Sequence, residues 1–436
     1  MSAALIMALV TLAGILAGYR TGFVLAGVAA LFILISDLPT AYFNLLVSRI
    51  YGNVLSNWLL VAIPMFIFMG LVLEKSGVAE HTLRACQRAL GGSAAGMGVS
   101  VVVVGVLLAA SSGIVGASVV LLTLLALPRL AEAGYDARLS SGLIASSGTL
   151  AILVPPSVML IVLGDQLRVP VPAMFAGALG PGLLLVALYL GLVLWRSRRL
   201  PRTIQADGSG GVRAVLVLAR DILPLVSLIV AVLGSILTGL ATPTEASGVG
   251  ALGACLIAAL YGRFRVAMVM DAAQQTVLTT TMVLTVMIGA TCFAAVFRGL
   301  GGDGLIESGL EAVGGGPWVA LIAVMAFVFV LGFVLDWLEI TLILMPILAP
   351  VIAEMDFGHG LDTEQTLLWF GLLVAVNLQT SFLTPPFGFS LFYMRGAAAG
   401  HLANRDVYAG VAPFVALQLG ALVALMVWPG LVTAFL

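Results

Sequence analysis

The sequence predicts an all-α polytopic membrane protein built from two inverted repeats, with two re-entrant helical hairpins and two broken helices. Composition is the first observation, because 61% of the 436 residues are hydrophobic and only 9% are charged. Soluble domains are about a quarter charged, so most of this chain is predicted to lie in a bilayer. The second and third observations are the lengths of the apolar runs and a motif that occurs twice.

Ten apolar runs have a length suited to one membrane crossing, and two are too long for a single crossing. The single spans are predicted at about 2–19, 22–36, 57–74, 139–164, 174–195, 221–240, 244–262, 274–297, 367–394 and 407–435. The two longer runs, at about 95–128 and 317–350, have small or polar residues in their middle. This pattern indicates helical hairpins that enter and leave the membrane on the same side.

The repeated motif lies at 145–157 and again at 377–388, and each copy interrupts an apolar stretch with Ser, Thr, Gly and a Pro-Pro pair. Irregular backbone is tolerated at membrane depth only inside protein or along a polar cavity. Interrupted helices at matching positions of two halves point to the binding site of a transporter. A proline kink repaired by hydroxyl groups would explain either copy alone. The residues predicted to form the breaks are Pro155, Pro156, Ser157, Pro385, Pro386 and Gly388.

The basic residues predict the orientation. If the N-terminus lies outside and both long runs are re-entrant, only Arg49, Arg168 and Arg298 face the periplasm, and the other 16 of the 19 basic residues face the cytoplasm. This distribution obeys the positive-inside rule. A crossing at either long run would move later loops to the opposite side and weaken the bias. Both termini are therefore predicted to be periplasmic.

The order of elements predicts two domains of inverted topology. Residues 1–200 contain three spans, an amphipathic stretch ending at Gly91-Gly92, a hairpin, a broken span and a closing span. Residues 221–436 repeat this order from the opposite side of the membrane, with an amphipathic stretch ending at 314–316. Such repeats are related by a pseudo-two-fold axis in the membrane plane. Residues 201–220 are predicted to be a cytoplasmic linker.

The tip of the first hairpin is a candidate sodium site. Hydroxyl groups and freed carbonyls are hard oxygen ligands for a small cation, and the tip supplies Ser112, Gly113, Gly116 and Ser118. A helix break predicted at Gly148 and Thr149 would face this tip. The alternative is that these small residues only allow close helix packing.

The second hairpin contains two carboxylates. Asp336 and Glu339 would share one face if the segment is helical, with Thr341 in the same segment. Carboxylates at membrane depth are functional by default, and ion or proton coupling is weighed equally against capping and local structure. Asn377, Thr380 and Thr384 are predicted to supply neutral oxygens to a second sodium site. The helix N-termini after both breaks would favour an anionic substrate group.

Several other classes of function are disfavoured by the sequence. The three histidines are scattered, so no metal site is predicted, and no nucleotide-binding loop, HExxH motif or Gly-x-Ser-x-Gly motif with a partner histidine occurs. The protein is therefore not expected to be an enzyme. A net charge of −1 gives no indication of nucleic-acid binding. An ion channel would require a continuous polar pore, whereas the polar residues here concentrate at the two breaks.

Specific motifs occur in both halves. In the first half they are Ser112-Gly113, Pro128, Gly134-Tyr135-Asp136, Gly148-Thr149 and Val154-Pro155-Pro156-Ser157; in the second, Pro346, Asn377 and Thr384-Pro385-Pro386-Phe387-Gly388. Together they resemble the large membrane subunit of tripartite ATP-independent periplasmic (TRAP) transporters. The string 336–340 is similar to the branch often labelled for mannitol and chloroaromatic compounds. The first hairpin tip departs from the family's commoner Ser-Gly-Ser-Ala pattern at Ile114 and Val115, so backbone carbonyls are the expected ligands there.

This resemblance implies an elevator-type fold of the ion-transporter superfamily in the bacterial inner membrane. It implies import of an organic anion, such as a carboxylate or 2-oxo acid, driven by a sodium gradient, with no cofactor besides Na⁺. It also implies a periplasmic substrate-binding protein and a small four-helix membrane subunit, which is expected to be separate because no four extra spans precede the first. Loops 38–56, 165–173 and 351–366 are predicted to dock the binding protein. The alternative within transport is a self-sufficient sodium–dicarboxylate or citrate symporter.

Overall fold

The computed structural model describes residues 2–90, 93–113, 115–198, 200, 212–385, 388–398 and 402–436, and these residues form helices and loops without strands. The helices of the first half are α1 (Ala3–Leu16), α2 (Thr21–Ile35), α3 (Tyr42–Ile50), α4 (Ala62–Lys75), α5 (Val78–Ala89), α6 (Ala94–Ser112), α7 (Val115–Glu132), α8 (Ala137–Thr149), α9 (Val158–Leu167) and α10 (Val171–Ser197).

The second half contains the same number of helices. They are α11 (Val212–Leu237), α12 (Pro243–Leu260), α13 (Val266–Gly299), α14 (Gly302–Val313), α15 (Pro317–Leu331), α16 (Trp337–Ala353), α17 (Thr363–Leu383), α18 (Phe389–Ala397), α19 (Asn404–Val427) and α20 (Gly430–Thr433). Hairpin 1 consists of α6 and α7, and hairpin 2 consists of α15 and α16.

The predicted all-α polytopic fold is confirmed. Among the described residues, eight helices are long and apolar enough to cross a membrane. The amphipathic stretches before the hairpins are helices of equal length, since α5 and α14 both have 12 residues. The N-terminal pair is shorter than predicted, because α1 and α2 have 14 and 15 residues, which span about 21–23 Å rather than the ~30 Å of a hydrocarbon core.

The predicted linker is also shorter than expected. Helix α11 begins at Val212, so the last nine residues assigned to the linker 201–220 belong to a helix. Residues 214–219 form a continuous apolar run between Arg213 and Arg220, which lengthens the helix toward the linker. Residues 201–211, like Gly91 and Gly92, lie outside the described residues.

Side-chain caps determine where several of these helices begin. Capping boxes, in which the cap side chain and the side chain three residues later each bind the other's backbone N–H, start α12, α16 and α17. Asp136 caps α8 by accepting a hydrogen bond of 2.8 Å from the N–H of Leu139. These caps define the first residue of each of these helices.

Contacts between distant parts of the chain join helix ends that were predicted to lie on the same side of the membrane. Lys75 pairs with Asp271 at 2.5 Å, and Arg138 pairs with Asp406 at 2.9 Å. All four residues belong to the predicted cytoplasmic face. On the other face, the amide of Asn57 donates to Asp165 at 2.7 Å. The relative placement of the loops is thus consistent with two re-entrant hairpins, while the identity of each face stays a prediction.

The base of hairpin 1 is held by a buried tyrosine in the loop between α7 and α8. The hydroxyl of Tyr135 donates to the carbonyl of Ala94 at 2.8 Å. Burial raises the pKa of Tyr135 to about 12, so the phenol keeps the proton that it donates. This bond ties the first residue of α6 to the end of α7, which fixes the direction in which the hairpin enters the protein.

Candidate ion and substrate site at the two helix breaks

The first broken helix is interrupted later than predicted. Helix α8 ends at Thr149, and one 3₁₀ turn follows over Leu150–Ile152. The irregular backbone lies at 153–157, a few residues after the break predicted at Gly148 and Thr149. Gly148 instead allows close packing, because a Cβ there would lie 3.1 Å from the Cα of Val119 in α7.

The second broken helix is interrupted where the sequence indicated. Helix α17 ends at Leu383, Thr384 has extended backbone, and α18 starts after Gly388, which has a φ of 40°. Pro386 lies outside the described residues. Helix α17 ends before Pro385 because a proline lacks a backbone donor and clashes with the preceding turn of a helix.

A serine after each break binds a carbonyl before it. The hydroxyl of Ser157 donates to the carbonyl of Ile152 at 2.7 Å, and that of Ser390 donates to the carbonyl of Phe382 at 2.6 Å. Each bond satisfies a backbone group that the interrupted helix leaves free. Both breaks are therefore stabilised in the same way.

The tip of hairpin 1 lies against the start of α9, directly after the first break. Gly113 has left-handed backbone (φ 59°), and a Cβ at this position would lie 3.4 Å from the backbone nitrogen of Val158, the first residue of α9. At Gly116 a Cβ would lie 3.0 Å from the ring of Tyr393 in α18. Hairpin 1 therefore contacts the segments that follow both breaks. Ser118 is buried, and the side chain of Ser112 lies outside the described residues.

The tip of hairpin 2 lies against α17, one turn before the second break. A Cβ at Gly332 would lie 2.8 Å from the Cβ of Ser381. The two carboxylates at this tip form the capping box of α16. Asp336 accepts the N–H of Trp337 at 2.8 Å, and Glu339 accepts the N–H of Asp336 at 3.2 Å and the hydroxyl of Thr21. Of the two alternatives weighed from the sequence, capping describes this geometry.

A hydrogen bond joins the two broken helices. The amide Nε2 of Gln379 donates to the Oγ1 of Thr149 at 3.3 Å, and both side chains are fully buried. These residues are 230 positions apart, which is also the offset that aligns Pro155-Pro156 with Pro385-Pro386. Equivalent positions of the two repeats thus contact each other, so the pseudo-two-fold axis passes close to this bond.

Gln379 was not among the candidates predicted from the sequence, although the same offset from the Pro-Pro pairs would have identified it as the counterpart of Thr149. Its Oε1 is buried and has no hydrogen-bond partner among the described residues; the same holds for the Oγ of Ser147 and the Oγ1 of Thr341. Ser147 lies two residues before Thr149 in α8. A buried oxygen without a partner destabilises the folded protein by about 1–3 kcal/mol. A bound cation would supply the missing partner.

The three residues predicted for a second sodium site do not all lie close enough to bind one ion. Asn377 donates to the carbonyl of Met325 in α15 at 2.7 Å, while Thr380 and Thr384 donate to carbonyls one turn earlier in α17, each at 2.8 Å. Seven helical residues rise about 10 Å, so Asn377 and Thr384 are too far apart to bind one ion. Thr380 and Thr384 share a face and are separated by one turn.

The helices that follow the breaks begin without a side-chain cap. Neither Ser157 before α9 nor Gly388 before α18 makes a side-chain hydrogen bond to the first turn. Their first backbone N–H groups therefore keep their capacity to donate to an anion.

Residues 5–431 match the family described as "Tripartite ATP-independent periplasmic transporter, DctM component". Similar proteins include the C4-dicarboxylate TRAP transporter large permease protein DctM of Pseudomonas aeruginosa, which is 29% identical over 340 residues covering 77% of each chain. The 2,3-diketo-L-gulonate TRAP transporter large permease protein YiaN of Escherichia coli is 26% identical, with 87% of each chain covered.

Two further similar proteins are a longer relative and a protein of known structure. The isethionate TRAP transporter permease protein DctMQ of Oleidesulfovibrio alaskensis is 26% identical over 91% of this chain but only 60% of its own length. The crystal structure of the Alcanivorax borkumensis YdaH transporter has a TM-score of 0.61 at 16% identity, covering 94% of this chain and 96% of the other; at this identity it bears on the fold alone. The family match spans nearly the whole sequence, and the chain therefore belongs to the DctM component family of tripartite ATP-independent periplasmic transporters.

Proposed function

We propose that this chain carries an organic anion across the membrane by coupling its import to a sodium gradient. The observation that carries this proposal is the contact between the two broken helices at Thr149 and Gln379, where the Oε1 of Gln379 has no hydrogen-bond partner among the described residues. An inverted-repeat transporter binds substrate and coupling ions where its discontinuous helices meet. In an elevator mechanism, the hairpins and broken helices would move together across the membrane.

The sodium proposal rests on the chemistry of the oxygens near this contact. The Oγ of Ser147, the Oγ1 of Thr149 and the Oε1 of Gln379 are neutral oxygens, and hard cations prefer oxygen ligands. All three side chains are fully buried, and Thr149 and Gln379 are in contact. Thr380 and Thr384 are the remaining candidates for a second ion.

The anion proposal rests on the uncapped starts of α9 and α18. Helix N-termini favour negative charge, and the described residues at these breaks include no basic side chain that would select one particular anion. The similar proteins are named for C4-dicarboxylate, 2,3-diketo-L-gulonate and isethionate, all of which carry a carboxylate or a sulfonate. We take a small carboxylate as the substrate class here.

The partners proposed are a periplasmic substrate-binding protein and a small membrane subunit, as the family description implies. The relevant test is uptake by proteoliposomes that contain this chain and its small subunit. We expect import of a carboxylate only with an inward sodium gradient and a loaded binding protein. Full-rate uptake of free substrate without the binding protein would favour the self-sufficient symporter, and uptake without sodium would contradict the coupling.

A further inference from the structure

The three arginines that the topology leaves on the periplasmic face come together in one cavity. The cavity has a volume of about 720 Å³, and Arg49, Arg168 and Arg298 all line it. Its walls are α3 and the π-helical turn Tyr51–Leu55 on one side, with α9, α13, α16 and α17 around the rest. We call this cavity the arginine vestibule. It is separate from the helix breaks.

The arginine vestibule has a surplus of positive charge. Its two lining acids are Asp165 and Glu364, so three cationic groups face two anionic ones. Asp165 accepts hydrogen bonds from the amides of Asn57 at 2.7 Å and Gln166 at 2.8 Å. Among the described residues, neither Arg49 nor Arg168 has a carboxylate within 4.0 Å. These two guanidinium groups are therefore free to bind an anion bidentately.

Arg298 has a different environment from the other two. One of its terminal nitrogens donates to the carbonyl of Pro346 in α16, and its Nε lies 3.8 Å from Asp303. Asp303 offsets part of its charge, and its bond to Pro346 holds α13 against hairpin 2. Arg49 and Arg168 are for this reason the better residues for a test.

Arg168 has a backbone conformation that favours glycine. It is the single non-glycine residue with positive φ (58°) in the described part of the chain. It follows α9 in a Schellman motif, in which the N–H of Val169 binds the carbonyl of Gly164 at 2.9 Å. Glycine is strongly preferred at this position because it has no Cβ. The arginine is therefore unfavourable for local folding, and its exposed side chain lies in the vestibule.

The vestibule leads toward the tip of hairpin 2. Its wall follows α16 from Ala353 to Leu342, and six residues, or about 9 Å of helix, separate Leu342 from Asp336 at the tip. A volume of this size is typical of sites for small molecules, so it suits a small anion better than a protein segment.

Building on the proposed function, we propose that the arginine vestibule receives the substrate anion at the periplasmic face before the anion reaches the helix breaks. Arg49 and Arg168 attract and orient its carboxylate or sulfonate group. A cavity with one sign of surplus charge raises the local concentration of oppositely charged ligands.

The first test measures the charge of the vestibule without any substrate. Ala353 lines the cavity and is replaced by Cys in a full-length chain whose Cys86, Cys255 and Cys292 are replaced by Ala. Its reaction rates with an anionic sulfonatoethyl and a cationic trimethylammonioethyl methanethiosulfonate are each divided by the rate for free 2-mercaptoethanol. We expect the anionic-to-cationic ratio to exceed that of the free thiol by about threefold to tenfold.

The arginine variants identify the source of that preference. Arg168→Gly and Arg49→Gln should each lower the ratio by about threefold, while Arg263→Gln, an exposed arginine on the other face, should leave it unchanged. A ratio equal to that of the free thiol, or one that neither variant changes, would overturn the proposal whether or not the protein transports anions.

The second test uses transport of succinate, pyruvate or isethionate, whichever the wild-type complex imports fastest. Arg168→Gly should raise the half-saturating substrate concentration about tenfold with sodium dependence unchanged, and its thermal midpoint should be equal to or above that of the wild type. An unchanged half-saturating concentration would overturn the proposal. So would a change confined to the half-saturating concentration of the binding protein, because the arginines would then form a docking surface. Failure of the wild type to import any of the three would contradict the proposed function. The ratio of reaction rates at the cysteine replacing Ala353 would still show whether the vestibule attracts anions.

Discussion

The hydroxyl of Thr149 is the atom on which the sodium proposal can be tested most directly. Thr149→Val keeps the shape of the side chain but removes the oxygen that accepts the amide of Gln379. Loss of one ligand to a buried ion should cost about 1–3 kcal/mol. We expect the sodium concentration for half-maximal uptake to rise by about fivefold to a hundredfold, as measured in proteoliposomes.

A matched control for this variant is Thr11→Val. Thr11 is also buried, at 4% exposure, and donates to the carbonyl of Met7 at 2.9 Å in α1, away from the breaks. Its sodium dependence should equal that of the wild type. If Thr149→Val also behaves like the wild type, backbone carbonyls rather than this side chain bind the ion.

Asp336 can be tested by separating its charge from its role as a cap. Asparagine caps helices as well as aspartate does, whereas alanine costs about 0.5–2 kcal/mol. We therefore expect Asp336→Asn to keep the thermal midpoint, the uptake rate and the sodium response, and Asp336→Ala to lower the midpoint. A folded Asp336→Asn protein that has lost its sodium response would instead assign the carboxylate to ion coupling.

The packing of α8 on α19 depends on small residues at the contact. A Cβ at Gly410 would lie 2.6 Å from the Oγ of Ser141 and 2.8 Å from the carbonyl carbon of Arg138. Gly410→Ala should separate these helices and destabilise the protein by about 1–3 kcal/mol, which a thermal unfolding scan in detergent would detect.

Gly191→Ala in α10 is the corresponding control, because a Cβ there meets no atom within 4 Å. Alanine in an open helical position should be neutral or should stabilise by about 0.5–1 kcal/mol. Equal thermal midpoints for the Gly410 and Gly191 variants would contradict the close contact between α8 and α19.

The predicted arrangement of loops across the membrane can be tested with two single cysteines. Ser209→Cys lies in the linker predicted to be cytoplasmic, and Glu354→Cys lies at an exposed position after hairpin 2, predicted to be periplasmic. We expect an impermeant maleimide to label the two positions from opposite faces. Labelling of both from one face would contradict either the re-entrant path of hairpin 2 or the predicted number of membrane crossings between the two positions.

Docking of the binding protein can be tested on the acidic periplasmic loops. Asp362 is unsuitable because it caps α17, so we choose Asp37→Lys and Glu354→Lys, both at exposed positions. Charge reversal should slow uptake at low concentrations of binding protein, most strongly at low salt, without changing the sodium dependence. Glu132→Lys, exposed on the other face, should behave like the wild type. Identical kinetics in all three variants would exclude these acids from docking.

Much of the architecture was predictable because a bilayer restricts the chain to a few solutions. Apolar length, the distribution of arginines and the two Pro-Pro pairs sufficed to predict the spans, the hairpins and the repeat. These features depend on local composition, since a peptide group in hydrocarbon must find its partner within its own segment. The positions of the capping boxes, such as Asp336 with Glu339, follow from equally local rules.

Other features depended on which segments meet in space. The sequence around Gly148 and Thr149 favours a break, yet the irregular backbone lies later, at 153–157, and Gly148 packs against Val119 of hairpin 1. The contact of Thr149 with Gln379, and the convergence of three arginines in one cavity, join residues more than 100 positions apart. The amino-acid sequence by itself determined the spans, their order and their caps, because these are governed by the bilayer and by neighbouring residues. Only the tertiary structure decided which polar groups share a site, because that depends on how the two repeats pack against each other.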